Sequence, residues 1–265
     1  MNDVDLKSAL TGAMRGEVSD DEGARRAAAR DTSLFERMPE LVVYTEDAND
    51  VSAIVKEVAR ARAAGAAVAL AARAAGTDMS GGPLTTGVVI SFTKHMNRML
   101  EVGDGFAVTE PGVYYRDFEK ETLKKGLILP SYPASREIAA MGGIIANNAG
   151  GERTLEYGQT EKYIEELDVV LSDGSQTTFK SLTSAELEQK KSQQTLEGTI
   201  YRDMDALITE NAALIETRRP KVSKNSAGYA LWSIRDPKTD TFNLAKLICG
   251  SQGTLALWTK AKLAL

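Results

Sequence analysis

One histidine and one cysteine in 265 residues remove several chemistries at once. A single histidine, His95, cannot build a histidine-rich metal site, and any Ser-His-Asp triad would have to use it. It stands in "SFTKHMNRM", a polar turn after an apolar run, and reads as a solvated loop residue. The lone Cys249 excludes an intrachain disulfide and fits a reducing compartment. Cys and His spacings that hold zinc are missing, so no metal is expected. No apolar run reaches the roughly 18–20 residues that a membrane helix needs. The first residues, "MNDVDLKSALTGAM", lack the basic segment and apolar core of a secretory signal. The expectation is a soluble, cytoplasmic protein without a transmembrane segment. Excess positive charge is missing as well: 32 Lys and Arg stand against 37 Asp and Glu, a net charge of −5. That argues against a nucleic-acid partner, whose binding surface would be basic.

What remains is ordinary globular material. The chain is 43% hydrophobic and 26% charged, and its length suits one large domain or two small lobes. The first 37 residues read as a helical segment, with Asp20 and Asp21 at the start of the second helix, where negative charge suits the dipole. Leu41 to Tyr44 reads as a strand. Val51, Ile54, Val55 and Val58 then keep helical spacing, with Gly65 as the stop. "AAVAL" and "GVVISF" read as further strands, so this part suggests a small parallel sheet. Strands around Gly103-Asp104-Gly105 and around Asp173-Gly174 read as hairpins. "YYRDFEKETLKKGL" and the stretch from Ser184 to about Arg219 are helical. "KVSKNSAGYALW" and "DPKTDTF" read as irregular, and a final strand closes the chain.

Between "AAVAL" and "GVVISF" lies "AARAAGTDMSGGPL". Glycines and small hydroxyl residues let consecutive backbone N–H groups converge on one anion. Thr77 and Ser80 can add hydroxyl donors. No Gly-Lys-Ser/Thr follows, so the stretch is not a Walker loop. No Gly-x-Gly-x-x-Gly opens a helix after the first strand, so it is not a dinucleotide fingerprint either. A tight turn needing glycine geometry explains the loop equally well when it is taken alone. "MGGIIANNAGG" and "ICGSQGTL" repeat the style further on.

Seven motifs stand in order: "RAAGTDMSGG", "VTEPGVYYRDF", "YPAS", "MGGIIANNAGG", "YGQT", "VVLSDG" and "CGSQGTLALWTKAKL". Together they resemble the FAD-binding domain of the vanillyl-alcohol oxidase/p-cresol methylhydroxylase type, nearest to D-lactate and glycolate dehydrogenases. The resemblance spans residues 38–265. It implies an α+β fold of two lobes, about 38–95 and 96–265, one with a small parallel sheet and one with a larger, mainly antiparallel sheet. It implies FAD between them, a small-molecule 2-hydroxy acid as substrate of the full-length enzyme, hydride transfer to flavin N5, and an electron acceptor of unknown identity. It places the pyrophosphate on Arg73, Ala74, Ala75, Gly76, Thr77, Asp78, Met79, Ser80 and Gly81. Pro133, Ala134 and Ser135 would line the cofactor's path. Gly142, Gly143, Asn147, Gly150, Gly151, Tyr157 and Gly158 would follow the phosphates, ribityl chain and ring edge. Gly250 and Gly253, within Ile248 to Leu255, would close over the adenine side.

The chain departs from the pattern in four places, one being Gln252 and Ala256, which stand where the last motif usually has Glu and Gly. Ala74 and Ala75 stand where relatives have glycines. Thr77 replaces a histidine that some relatives bond to the flavin, so FAD is expected to be non-covalent. The substrate cap domain, which normally carries the catalytic base, is absent. A stand-alone FAD-binding module without turnover is therefore the alternative expectation. Arg136 and Arg153 are candidates for a substrate carboxylate, and Lys221, Lys224, Asn225 and Tyr229 for cofactor or substrate contact. Solvated surface roles and a polar crossover are the plainer explanations. Trp232, Trp258 and Cys249 read as packing residues.

Overall fold

The computed structural model describes residues 3–222, 224–225 and 228–265. Lobe one contains α1 (Asp3–Ala13), β1 (Glu17–Ser19), α2 (Glu22–Ala28), β2 (Leu41–Tyr44), α3 (Ala48–Ala63), β3 (Leu70–Arg73) and β4 (Val88–Ser91). β2, β4 and β3 run parallel, and β1 adds to the edge antiparallel, in the order β1-β2-β4-β3. Parallel neighbours need a crossover, and α3 supplies it between β2 and β3. Its start is fixed by Asp47, whose side chain accepts from the N–H groups of Asn49 and Asp50. Val51, Ile54, Val55 and Val58 are buried on one face, and Gly65 at φ +94° ends the helix.

The strand expected over "AAVAL" forms later than the sequence suggests. Residues 66–69 are irregular because the Ala66 N–H still reaches back to Ala61 O, and the ladder with β4 begins at Leu70 opposite Val88. The N-terminal stretch also supplies a strand: β1 pairs with β2, and Leu6, Leu10 and Met14 join the core of lobe one. The buried Asp50 carboxylate ties this arm down. It accepts from the N–H groups of Arg15 (2.8 Å), Gly16 (3.0 Å) and Glu46 (2.8 Å).

Lobe two begins with β5 (Met99–Val102), β6 (Phe106–Thr109), α4 (Tyr115–Leu123), α5 (Met141–Ala146), α6 (Thr154–Tyr157), β7 (Ile164–Val170) and β8 (Gln176–Lys180). It continues with α7 (Ser184–Ser192), α8 (Leu196–Glu210), α9 (Ala212–Arg218), β9 (Arg235–Asp236), β10 (Thr241–Phe242), α10 (Ala245–Ile248) and β11 (Leu257–Ala264). The main sheet is antiparallel, in the order β5-β6-β11-β7-β8, so the last strand fills its centre. "DPKTDTF" is not irregular throughout, since it carries part of the β9–β10 ribbon. Tyr115, Phe118, Leu129, Tyr201 and Phe242 are fully buried in this lobe's core. The Tyr201 hydroxyl has no hydrogen-bond partner there. Leaving a buried hydroxyl unpaired costs about 1–3 kcal/mol. Tyr201→Phe is therefore expected to hold or raise stability by about 1 kcal/mol in urea unfolding; a loss would show that the hydroxyl does useful work.

The lobes are joined directly. Val170 and Leu257 from lobe two pack into the core of lobe one. The Ser52 hydroxyl donates to Gly174 O. No helix among the described residues is long and apolar enough to cross a membrane.

Candidate functional site

The loop leaving β3, α5 and the turn before β11 line one open cleft. Lobe one contributes Ala72, Ala74 to Asp78, Gly82, Pro83 and Phe92 to its walls. Lobe two contributes Pro111, Pro133, Ser135, Ala139, Ala140, Gly142, Gly143, Ile144, Ala146, Asn147, Ala149, Ile248, Ser251, Gln252, Gly253, Ala256, Leu257 and Trp258. The C-terminal edge of a parallel sheet is where open α/β sheets place ligands.

The donor set decides what the cleft can take. Among the described residues, the backbone N–H groups of Ala74, Ala75, Gly76, Thr77 and Asp78 have no acceptor in the protein. Five consecutive unpaired donors along one wall form a cradle for an anion. The Ser251 hydroxyl, 3% exposed, lines the same cleft and is also unpaired. A Cβ built on Gly143 would meet nothing within 4 Å, so this wall faces open space. Among the described residues, Asp78 is the single ionisable side chain in the lining. Burial pushes its carboxyl up, but hydrogen bonds from Ser80 and Gly82 outweigh that and hold it below the usual carboxylate range.

Eleven of the expected site residues meet at the cleft: Ala74, Ala75, Gly76, Thr77, Asp78, Pro133, Ser135, Gly142, Gly143, Asn147 and Gly253. The other ten lie outside its lining. Arg73 turns back, its guanidinium donating to the carbonyls of Arg30 (2.8 Å), Ala27 (3.4 Å) and Ala28 (3.5 Å). Burial lowers its pKa, opposed by Asp31. Met79 is 80% exposed, and Ser80 bonds to Asp78. The Gly81 N–H is taken by Asp31 (2.9 Å). Ala134 is exposed. Gly150 packs against Thr154, and Gly151 against Tyr132 O. Tyr157 is exposed, and Gly158 closes α6 at φ +85°. The Gly250 N–H holds its turn onto α5 through Ile145 O (3.0 Å).

Ser251 and Gln252 lie inside the expected segment Ile248 to Leu255, whereas Phe92 was not among the expected site residues. Phe92 reaches the cleft only through the sheet's placement. Trp258, read as packing, is buried and also lines the cleft. Arg136 and Arg153 lie over the Tyr132 ring, 4.6 and 5.7 Å from its centroid, and outside the cleft lining. The Tyr229 hydroxyl meets Thr254 Oγ1 at 2.9 Å, and Lys221 and Lys224 are exposed. Ser223, Ser226 and Ala227 of that segment lie outside the described residues. Trp232 is half-buried. His95 pairs with Glu17 (2.9 Å), outside the cleft lining. Among the described residues, no group of three or more His, Cys, Asp or Glu could hold a metal.

Cys249 is buried, with its Sγ 3.6 Å from Asn148 Oδ1. Burial, followed by Glu161, raises its pKa well above the ordinary thiol value. Maleimide is expected to label it at least about a hundredfold more slowly in the native protein than in urea, since the thiolate is the reactive form. Equal rates by mass spectrometry would refute the buried position.

Residues 39–180 match the family described as FAD binding domain, over half of the chain. The chain belongs to that family. FAD is the cofactor that follows, and the unpaired N–H groups are donors of the kind an anion takes. The chain is 30% identical over 260 residues to a D-2-hydroxyglutarate dehydrogenase of Pseudomonas putida, covering 97% of this chain and 26% of that protein. It is 29% identical over 227 residues to a D-lactate dehydrogenase of Archaeoglobus fulgidus, covering 85% of this chain and 38% of that one. The solved structure of a chitooligosaccharide oxidase superposes with a TM-score of 0.64 at 15% identity, over 98% of this chain and 42% of that one, which is a likeness of fold. This FAD-binding chain thus spans about a quarter of the Pseudomonas putida relative.

Proposed function

We propose that this chain is the cofactor-holding part of an FAD-dependent dehydrogenase for a 2-hydroxy acid, with FAD bound non-covalently in the cleft. The run of unpaired N–H groups from Ala74 to Asp78, in a chain of the FAD-binding family, carries the reading. Those groups and the Ser251 hydroxyl would hold the pyrophosphate by hydrogen bonds rather than by a cation. The apolar wall at Ala139, Ala140 and Ile144 would exclude water from the bound cofactor. Bound FAD supplies the acceptor at N5 for a hydride from the substrate's α-carbon. The relatives named for D-2-hydroxyglutarate and D-lactate support that substrate class. Non-covalent attachment is supported by the lining, which among the described residues holds no His, Cys or Tyr to bond the flavin.

One observation favours a second reading, an FAD module without turnover of its own. Among the described residues, no Lys, Arg or His lines the cleft. The chain's own residues there supply neither a cation for a substrate carboxylate nor a histidine base. The spectrum of purified protein, with acid precipitation, tests the cofactor: flavin in the supernatant is expected, and flavin in the pellet would refute non-covalent binding. Dye reduction with D-2-hydroxyglutarate, D-lactate or glycolate then separates the readings. Turnover would reject the module, and bound FAD with no turnover would reject the dehydrogenase for this chain.

A further inference from the structure

The one ionisable side chain lining the cleft, among the described residues, has the wrong sign for a pyrophosphate. Asp78 Oδ2 accepts from the N–H groups of Ser80 (3.0 Å) and Gly82 (2.8 Å) and from Ser80 Oγ (2.7 Å). Those three donors are already filled by a carboxylate, whereas the five N–H groups before them are open. The loop is therefore a divided cradle, one half free and one half occupied by the protein's own anion. One cation, Arg73, packs against Gly76 but lies outside the cleft lining. Among the described residues, Asp78 is the single ionisable side chain in the lining. Arg73, the basic residue of the loop, points back to the carbonyls of Ala27, Ala28 and Arg30. A second carboxylate, Asp31, holds the Gly81 N–H. A dinucleotide phosphate entering the free half meets a fixed negative charge that is only partly screened.

We propose that Asp78 is a built-in phosphate surrogate. It keeps the cradle shaped while FAD is away, and it weakens FAD binding through its charge, making this a site that releases its cofactor. The inference rests on the reading that FAD occupies the cleft. Its test is Asp78→Asn, which keeps an acceptor oxygen for Ser80 and Gly82 and removes the charge. FAD affinity is read by quenching of flavin fluorescence, and ADP affinity by calorimetry. Asp104→Asn, a charge removal on the β5–β6 hairpin outside the cleft lining, is the control.

Asp78→Asn should bind FAD and ADP about tenfold more tightly, the scale for removing one nearby like charge in a half-buried site. The gap should narrow as salt rises from about 0.01 to 0.15 M and the Debye length falls from about 30 to 8 Å. Asp104→Asn should match the wild type. If wild type and Asp78→Asn bind FAD equally, the role of Asp78 is overturned and the cleft reading stands. If neither binds FAD, both fall. Should Asp78→Asn fail to fold, the salt dependence of the wild type decides. ADP affinity that rises with salt supports the surrogate, and affinity that falls or stays flat overturns it.

Discussion

Gly143→Leu is expected to abolish FAD binding while leaving the apo protein folded. A Cβ at Gly143 meets no atom within 4 Å, so the added side chain clashes with nothing in the protein. The space it enters is the cleft proposed to hold the cofactor. Gly143 lies inside α5, where leucine is favoured over glycine by roughly 0.5–1 kcal/mol. The melting temperature of the apo variant should equal or exceed that of the wild type. FAD affinity should fall at least about a hundredfold, some 2.7 kcal/mol. The neighbouring position separates the two effects. A Cβ on Gly142 would sit 2.8 Å from Ala74 Cβ and 2.9 Å from Pro111 O, so Gly142→Leu damages the lobe junction itself. Loss of binding at Gly142 alone would say little. Loss at Gly143 with an intact melt locates the cofactor, and wild-type FAD affinity in Gly143→Leu would place it elsewhere.

What was legible in the sequence had a period or a fixed motif. α3 shows its buried face at Val51, Ile54, Val55 and Val58, and the hairpin at Asp173-Gly174 shows its turn chemistry. The expected pair of sheets is present, with the three parallel strands of lobe one extended by an antiparallel edge. That edge, β1, is three residues long and has no alternation to detect. β3 was misplaced because "AAVALAAR" is apolar throughout, and its register depends on where β4 pairs rather than on local pattern. The run from Ala74 to Asp78 was legible as a loop of small residues, and its open N–H groups follow from that local composition. The direction of Arg73 was not, because the carbonyls that capture it lie more than forty positions earlier in the chain. Asp78 was visible as a residue of the loop, whereas its hold on Ser80 and Gly82 required the folded turn.

That long-range capture gives the N-terminal arm a function, and Asp50→Ala should expose it. Three N–H groups, on Arg15, Gly16 and Glu46, would lose the buried carboxylate they share as acceptor. Partial access to water limits the cost, and a loss of about 3 kcal/mol in urea unfolding is expected. The effect should also reach the cleft. Further along the arm, Thr32 Oγ1 donates to Asp78 O (2.8 Å) and Thr77 O (3.1 Å), the Thr32 N–H donates to Asp78 O (3.0 Å), and Asp31 holds the Gly81 N–H. The arm therefore braces the loop that is proposed to hold the cofactor. Loosening it at Asp50 should weaken FAD binding severalfold and raise amide exchange across residues 15–35 and 76–82, the ordering cost being transferred to the binding step. Thr32→Val is the counterpart at the other end. It removes the hydroxyl contacts from an exposed residue, so it should weaken FAD binding with little change in unfolding. Should Asp50→Ala lose stability while FAD affinity and loop exchange stay at wild-type values, the arm would be a support for lobe one and no part of the cofactor site.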